Sequence, residues 1–132
     1  MSEKRKTVKK EKTRFDSKLD KVISILQEKK AQQIVIYDLR SLTSLFDFSV
    51  IATGLSSTQI DVIRRTIERE MKSERILPLG IEGSSESGWV LMDYIDFIIH
   101  IFSPDKRKYY RLDNLLQDQP FFEIVSESDI AG

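Results

Sequence analysis

The chain has 132 residues, 40% of them apolar and 32% charged, with 21 basic side chains balanced by 21 acidic ones. That size and balance describe one soluble globular domain, and no apolar run approaches the roughly 20 residues needed to cross a bilayer. With no cysteine and a single histidine, disulfides, thiol catalysis, thiolate-bound zinc and a multi-histidine metal site within one chain are excluded.

The neutral total hides an asymmetry. Residues 1–14, MSEKRKTVKKEKTR, hold seven Lys/Arg against two Glu, a net +5, so the remainder carries −5. Almost without apolar side chains, this stretch is expected to be a disordered basic tail. It reads as a solubilising arm, or as a non-specific contact to phosphate backbones. The basic start is not followed by an apolar stretch, so it is not read as a signal peptide, and a cytoplasmic setting is expected.

The first predicted helix lies in FDSKLDKVISILQEKK, where Leu19, Val22, Ile23 and Leu26 share one face. Asp16 or Ser17 can cap it, and Ser17 with Asp20 has capping-box spacing. QQIVIYDL (32–39) and FSVIATG (48–54) read as strands. SSTQIDVIRRTIEREMKSER opens with cap-type serines and lines up Ile60, Ile63, Ile67 and Met71. ILPLGIEG (76–83) reads as a short strand, GSSES as a polar loop, and WVLMD with DFIIHIF as a hairpin. In SPDKRKYYRLDNLLQD, Ser103 caps a last helix, Pro104 takes its first position, and Tyr109, Leu112 and Leu116 are expected to face inward. The order α-β-β-α-β-β-β-α implies an α+β domain: a mixed sheet of five strands with helices mainly on one face. The domain is assigned to residues 15–120, with 121–132 as a C-terminal tail.

Alternation on the hairpin separates two faces. Val90, Met92, Phe97, Ile99 and Ile101 form a wholly apolar face, expected to be the core side. Trp89, Leu91, Asp93, Asp96, Ile98, His100 and Phe102 form the other, apolar in its middle and acidic at one end. With Tyr94-Ile95 at the turn centre, Asp93 sits opposite Asp96, Leu91 opposite Ile98 and Trp89 opposite His100. Such a face suits either another element of the same fold or a basic partner, with Trp89 as an anchor. His100 is read as a structural histidine, and Asp93 and Asp96 as turn residues.

An enzyme reading starts from Gly-Ser followed by paired carboxylates, as in nucleotidyltransferases. There two carboxylates at i and i+2 project from one strand face and grip Mg²⁺. Here Asp93 and Asp96 are spaced i, i+3 and diverge on a continuous strand. No phosphate-binding loop, dinucleotide fingerprint or nucleophile elbow is present.

Four ordered motifs instead resemble the ribosomal silencing factor (RsfS, Iojap-type) family. They are the S-x-x-D-F stretch ending at Asp47-Phe48, T-G-x-S-S-x-Q at 53–59, P-L-G-I-E-G at 78–83, and W-V-L-x-D-Y-x-D-x-x-x-H-x-F from Trp89 to Phe102, followed by Tyr110 and Leu112. The likeness spans about residues 17–118. It implies a nucleotidyltransferase-like fold without the catalytic carboxylates, and no enzyme activity, cofactor or metal. It implies docking on the large ribosomal subunit through ribosomal protein fourteen, so that the small subunit cannot join and translation is repressed. The partner-binding residues it implies are Trp89, Leu91, Asp93, Tyr94, Asp96, His100 and Tyr110, together with Asp47. The tail then becomes a weak contact to ribosomal RNA, and a homodimer is left open. The alternatives are a nucleotidyltransferase-like enzyme using Asp93 and Asp96 with Mg²⁺, and a large-subunit assembly factor. Three positions depart from the family pattern: Phe48 for Tyr, Thr58 for Arg, and Ile95 where a turn glycine is usual. A β-branched residue there is strained if the turn needs positive φ.

Overall fold

A computed structural model describes residues 16–125 and the backbone of Arg5–Val8. Helix α1 (Ser17–Glu28) forms on the stripe expected for it, with Leu19, Val22, Ile23 and Leu26 all buried. Asp16 caps it by accepting the Leu19 N–H at 3.0 Å. Helix α2 (Ser57–Ser73) buries Ile60, Ile63, Ile67 and Met71. Its cap is Ser56, whose hydroxyl accepts the Gln59 N–H at 3.1 Å.

Seven strands make one sheet: β1 (Arg5–Val8), β2 (Gln32–Asp38), β3 (Phe48–Thr53), β4 (Gly80–Ser84), β5 (Trp89–Asp93), β6 (Phe97–Phe102) and β7 (Phe121–Ile124). Their order across the sheet is β1-β7-β2-β3-β6-β5-β4. The β1/β7 and β3/β6 pairs are parallel and the others antiparallel. The fold is α+β with a mixed sheet, as expected, and its two additional strands lie at the chain's ends.

Both ends correct the sequence reading. The boundary at residue 120 cut off β7, which pairs with β2 and seats Phe121 in the core. Within the tail read as disordered, Arg5–Val8 pairs with β7 in the register Arg5↔Phe121 to Val8↔Ile124. Backbone ladders need only an unpaired edge, so a polar segment without an apolar face can supply a strand. The rest of that tail, and the acidic end after Val125, lie outside the described residues.

Helices α1 and α2 cover one sheet face. Beneath them lie Ile34, Ile36, Val50, Ala52, Val90, Met92, Phe97, Ile99 and Ile101, which bears out the expected core side of the hairpin. The second face carries a smaller core of Val35, Tyr37, Leu39, Ile51, Phe102 and Leu116. It is covered by α3 (Pro104–Tyr110), α4 (Leu112–Leu115) and the β2–β3 connection through Phe46. One continuous last helix was expected. The chain breaks it at Arg111, which adopts left-handed geometry (φ 54°). The break leaves Tyr109 exposed rather than inward, while Leu112 and Leu116 do pack.

The β5–β6 hairpin has a different register from the expected one. Trp89 pairs with Phe102, Leu91 with His100 and Asp93 with Ile98. The cause is the turn. Tyr94 N–H donates to Phe97 O at 2.9 Å, so Ile95-Asp96 form its centre, one residue later than expected. Moving the centre by one residue moves every cross-strand partner by two, which keeps the faces but separates Asp93 from Asp96.

Ile95 has φ 75°, and around it Asp96 N–H donates to Tyr94 O at 2.8 Å. This positive-φ γ-turn is the rare, strained kind. A β-branched residue there costs about 1–2 kcal/mol relative to right-handed geometry. The side chain is exposed, so little packing would be lost with it. Ile95→Gly is therefore expected to raise unfolding stability by about 1 kcal/mol in urea titration. A loss of stability would show that the isoleucine makes up for its backbone.

Candidate docking surface

Trp89 begins β5, directly after Gly88. Gly88 has φ 81°, and an added Cβ would lie 2.8 Å from both Ser103 Oγ and Lys106 Cγ. Only glycine lets this loop pass so close beneath the start of α3. The close passage sets Trp89 under Tyr110, with ring centroids 4.4 Å apart. Phe102 lies 5.2 Å and His100 6.0 Å from the indole, both near-parallel to it. Trp89 Nε1–H donates to His100 Nδ1 at 3.1 Å. The result is an aromatic ledge: Phe102 and His100 form the buried floor, Trp89 is half-buried and Tyr110 is exposed.

A polar clamp holds α3 and α4 over this floor. Arg107 donates from Nε to Asp113 Oδ2 at 2.9 Å and from NH2 to Asp113 Oδ1 at 3.1 Å. Its NH1 reaches Gln33 O at 2.6 Å and Thr53 Oγ1 at 2.9 Å. Tyr37 donates its hydroxyl to Asp113 Oδ1 at 2.6 Å. Burial alone would raise the Asp113 carboxyl, but hydrogen bonds from Arg107 and Tyr37 outweigh it and hold the group below the usual carboxylate range. Burial, with the hydrogen bond to Asp113 added, pushes the Tyr37 phenol above its ordinary value.

His100 is the structural histidine the sequence suggested. It is 7% exposed, accepts from Trp89, and is driven by burial down to about 4. In the unfolded chain it titrates at its ordinary 6.5, so the unfolded state gains the proton first as pH falls. Its contribution is therefore intact above about pH 6.5 and lost as pH drops towards 4. Urea unfolding is expected to show about 2 kcal/mol less stability at pH 5 than at pH 7.5 from this group. His100→Asn keeps an acceptor for the indole and removes the titration, so it should abolish that part of the loss. An unchanged pH dependence would assign the loss to carboxylates.

The remaining expected site residues fall in three places. Leu91 and Asp93 continue the Trp89 face along β5 and are partly exposed. Asp96 and Asp47 meet at the hairpin tip, where Asp47 N–H donates to Asp96 O at 2.7 Å. Tyr94 is not on this surface. It faces α2, is 3% exposed, and its hydroxyl has no hydrogen-bond partner, while burial raises it to about 12. The two carboxylates once opposed in the expected hairpin have separate tasks. Asp93 Oδ1 accepts the Ile95 N–H at 2.8 Å and Asp96 Oδ2 pairs with Lys18 Nζ at 3.0 Å. Among the described residues no group of three or more His, Asp or Glu is placed to hold a metal ion.

Sequence reasoning missed the Arg107–Asp113 clamp, because its i, i+6 spacing matches no helical pair and arises from the break at Arg111. It also missed Leu42 and Leu45, exposed on the connection whose Phe46 packs into the second face. Their apolar side chains in a polar connection were the available signal.

The fold and this surface define an α+β domain with a mixed sheet, one face of which carries an aromatic ledge. A family profile described as "Ribosomal silencing factor during starvation" matches residues 12–131. The ribosomal silencing factor RsfS of Halalkalibacterium halodurans is 30% identical over 106 residues, covering 80% of this chain and 91% of that one. That of Bacillus subtilis is 32% identical over 97 residues, covering 74% and 82%. The chloroplastic Iojap protein of Zea mays is 30% identical over 86 residues, covering 65% of this chain and 37% of its own length. A crystal structure of a Chromobacterium violaceum protein superposes with a TM-score of 0.73 at 28% identity, covering 80% of this chain and 88% of that one. The chain belongs to the ribosomal silencing factor family. Among its described residues, no helix is long and apolar enough to cross a membrane.

Proposed function

We propose that this protein docks on the large ribosomal subunit through ribosomal protein fourteen and blocks joining of the small subunit, repressing translation in the cytoplasm. The observation that carries the reading is the half-buried Trp89 capped by an exposed Tyr110. A large indole held rigidly at a surface, with a wet rim, is the usual form of an interface anchor. Leu91 extends the apolar area, and Asp93, Asp96 and Asp47 give one end a negative border suited to Lys or Arg of the partner. His100 supports the surface from below. The mechanism is steric, so it needs no catalytic group or cofactor.

Membership of the family supports this reading, as does the separation of Asp93 from Asp96, which disfavours the magnesium-dependent alternative. A role in large-subunit assembly would use the same surface at another time. The test is sedimentation of purified large subunits with the full chain, followed by addition of small subunits. Co-sedimentation with loss of joining supports silencing. Co-sedimentation without loss of joining supports assembly, and no co-sedimentation overturns both.

A further inference from the structure

Helix α3 carries a second surface next to the ledge. Its inward side is the Arg107 clamp, and its outward side is Lys106, Lys108, Tyr109 and, at the break, Arg111. Tyr109 is 74% exposed, the largest exposure of any aromatic side chain described. Lys106 Nζ stands over its ring, 5.7 Å from the centroid. Tyr109 meets Tyr110 edge-on at 5.0 Å, and Tyr110 rests on Trp89. Three rings therefore step outward from the ledge in unbroken contact.

The charges around those steps stand together on one short helix and its end, without carboxylate partners. Lys18, Lys21, Arg40, Arg64, Arg65, Arg69 and Arg107 each reach a carboxylate. Among the described residues, Lys106, Lys108 and Arg111 carry no ion pair, and within α3 only Asp105 opposes them. Lys106 rests on the exposed Tyr109 ring, but neither Lys108 nor Arg111 has a charged partner among the described residues. An exposed tyrosine gains little from water, and three like charges within one and a half turns repel. Both penalties turn to advantage against a single-stranded nucleic acid. Phosphates neutralise the cations and release counterions, and a base stacks on the ring.

From this juxtaposition we infer that the outward side of α3 is an RNA-binding strip, with Tyr109 as the stacking platform and Lys106, Lys108 and Arg111 as phosphate contacts. It rests on the ribosomal reading for its setting, because continuity through Tyr110 places the strip at the border of the proposed docking surface. Ribosomal protein would occupy the ledge, and an unpaired stretch of RNA would lie along α3. The acidic end of the ledge, at Asp93, Asp96 and Asp47, repels phosphate and confines RNA to the α3 side.

The experiment measures fluorescence anisotropy of the full chain with a labelled oligouridylate of about 12 nucleotides, over a salt series. Tyr109→Ala is expected to weaken binding about tenfold with an unchanged salt slope. Lys106→Gln/Lys108→Gln/Arg111→Gln is expected to flatten the slope of log affinity on log salt by about 2. These residues are at the surface and outside the clamp, so folding should survive, as circular dichroism would verify. A chain lacking residues 1–14 is the essential comparison. If its removal abolishes binding while both α3 variants bind like wild type, the tail is the RNA site and the inference falls. If the α3 variants keep oligouridylate affinity but lose isolated ribosomal protein fourteen, the strip is a protein contact and the inference also falls. Neither assay contains ribosomes, so failure of the strip is distinguishable from failure of subunit docking.

Discussion

Trp89→Ala is expected to weaken binding to large subunits by about 30- to 1000-fold and to restore subunit joining. That range corresponds to roughly 2–4 kcal/mol for losing a central aromatic anchor. Competition sedimentation against labelled wild type would measure it. The indole also packs on Phe102 and Tyr110 and donates to His100, so part of the cost falls on the fold itself. Two controls separate the effects. Unfolding curves establish that the variant is folded at the assay temperature. Tyr110→Ala removes an exposed ring and uncovers the indole, so it should leave stability nearly unchanged while weakening binding. A folded Trp89→Ala protein that still binds and silences like wild type would remove the ledge from the docking surface.

The second large effect is on stability. Asp113→Ala is expected to lower unfolding free energy by about 3 kcal/mol, because it strands the nearly buried Arg107 guanidinium without its partner. Tyr37 loses its acceptor in the same step. Urea unfolding would show the loss. The double variant Arg107→Leu/Asp113→Leu should recover much of it, since paired apolar replacements avoid an unpaired buried charge. Asp113 has a lowered carboxyl, so the clamp's contribution is present above the unfolded carboxylate value and lost as pH falls below it through the lower folded value. An Asp113→Ala chain as stable as wild type would mean that α3 and α4 are held by Leu112, Leu116 and the ring stack alone. Because the clamp seats α3, its loss should also loosen Tyr110 from Trp89 and weaken subunit binding.

The elements most legible in the sequence were those whose cause is local. The stripes of α1 and α2 have helical spacing, and their caps sit where the stripes begin. The alternation through β5 and β6 assigned Val90, Met92, Ile99 and Ile101 to the core and left Trp89, Leu91 and His100 on the other face. What escaped depends on a single backbone angle or on distant partners. A positive φ at Ile95 moved the hairpin turn by one residue and every pairing by two. Another at Arg111 split a helix, turned Tyr109 outward and brought Asp113 back to Arg107. Strand β7 is short and follows a proline, and it becomes a strand only because β2 offers it an edge. The residues implied by the resemblance do not share one face: Trp89 and Tyr110 reach outward, whereas Tyr94 is buried beneath the opposite face.

The position of the ledge along the chain has a consequence for synthesis. Every ring in it comes after residue 88, and β6 must pair with β3 at a separation of 49 positions in the chain, Phe48 against Phe97. Helices α1 and α2 and the β2–β3 pair can gather as they emerge, since segments made first tend to organise first. The indole acquires its cap only when Tyr110 and Asp113 have also appeared. A partly made chain still attached to its own ribosome therefore lacks the aromatic ledge, which is completed only near the end of translation.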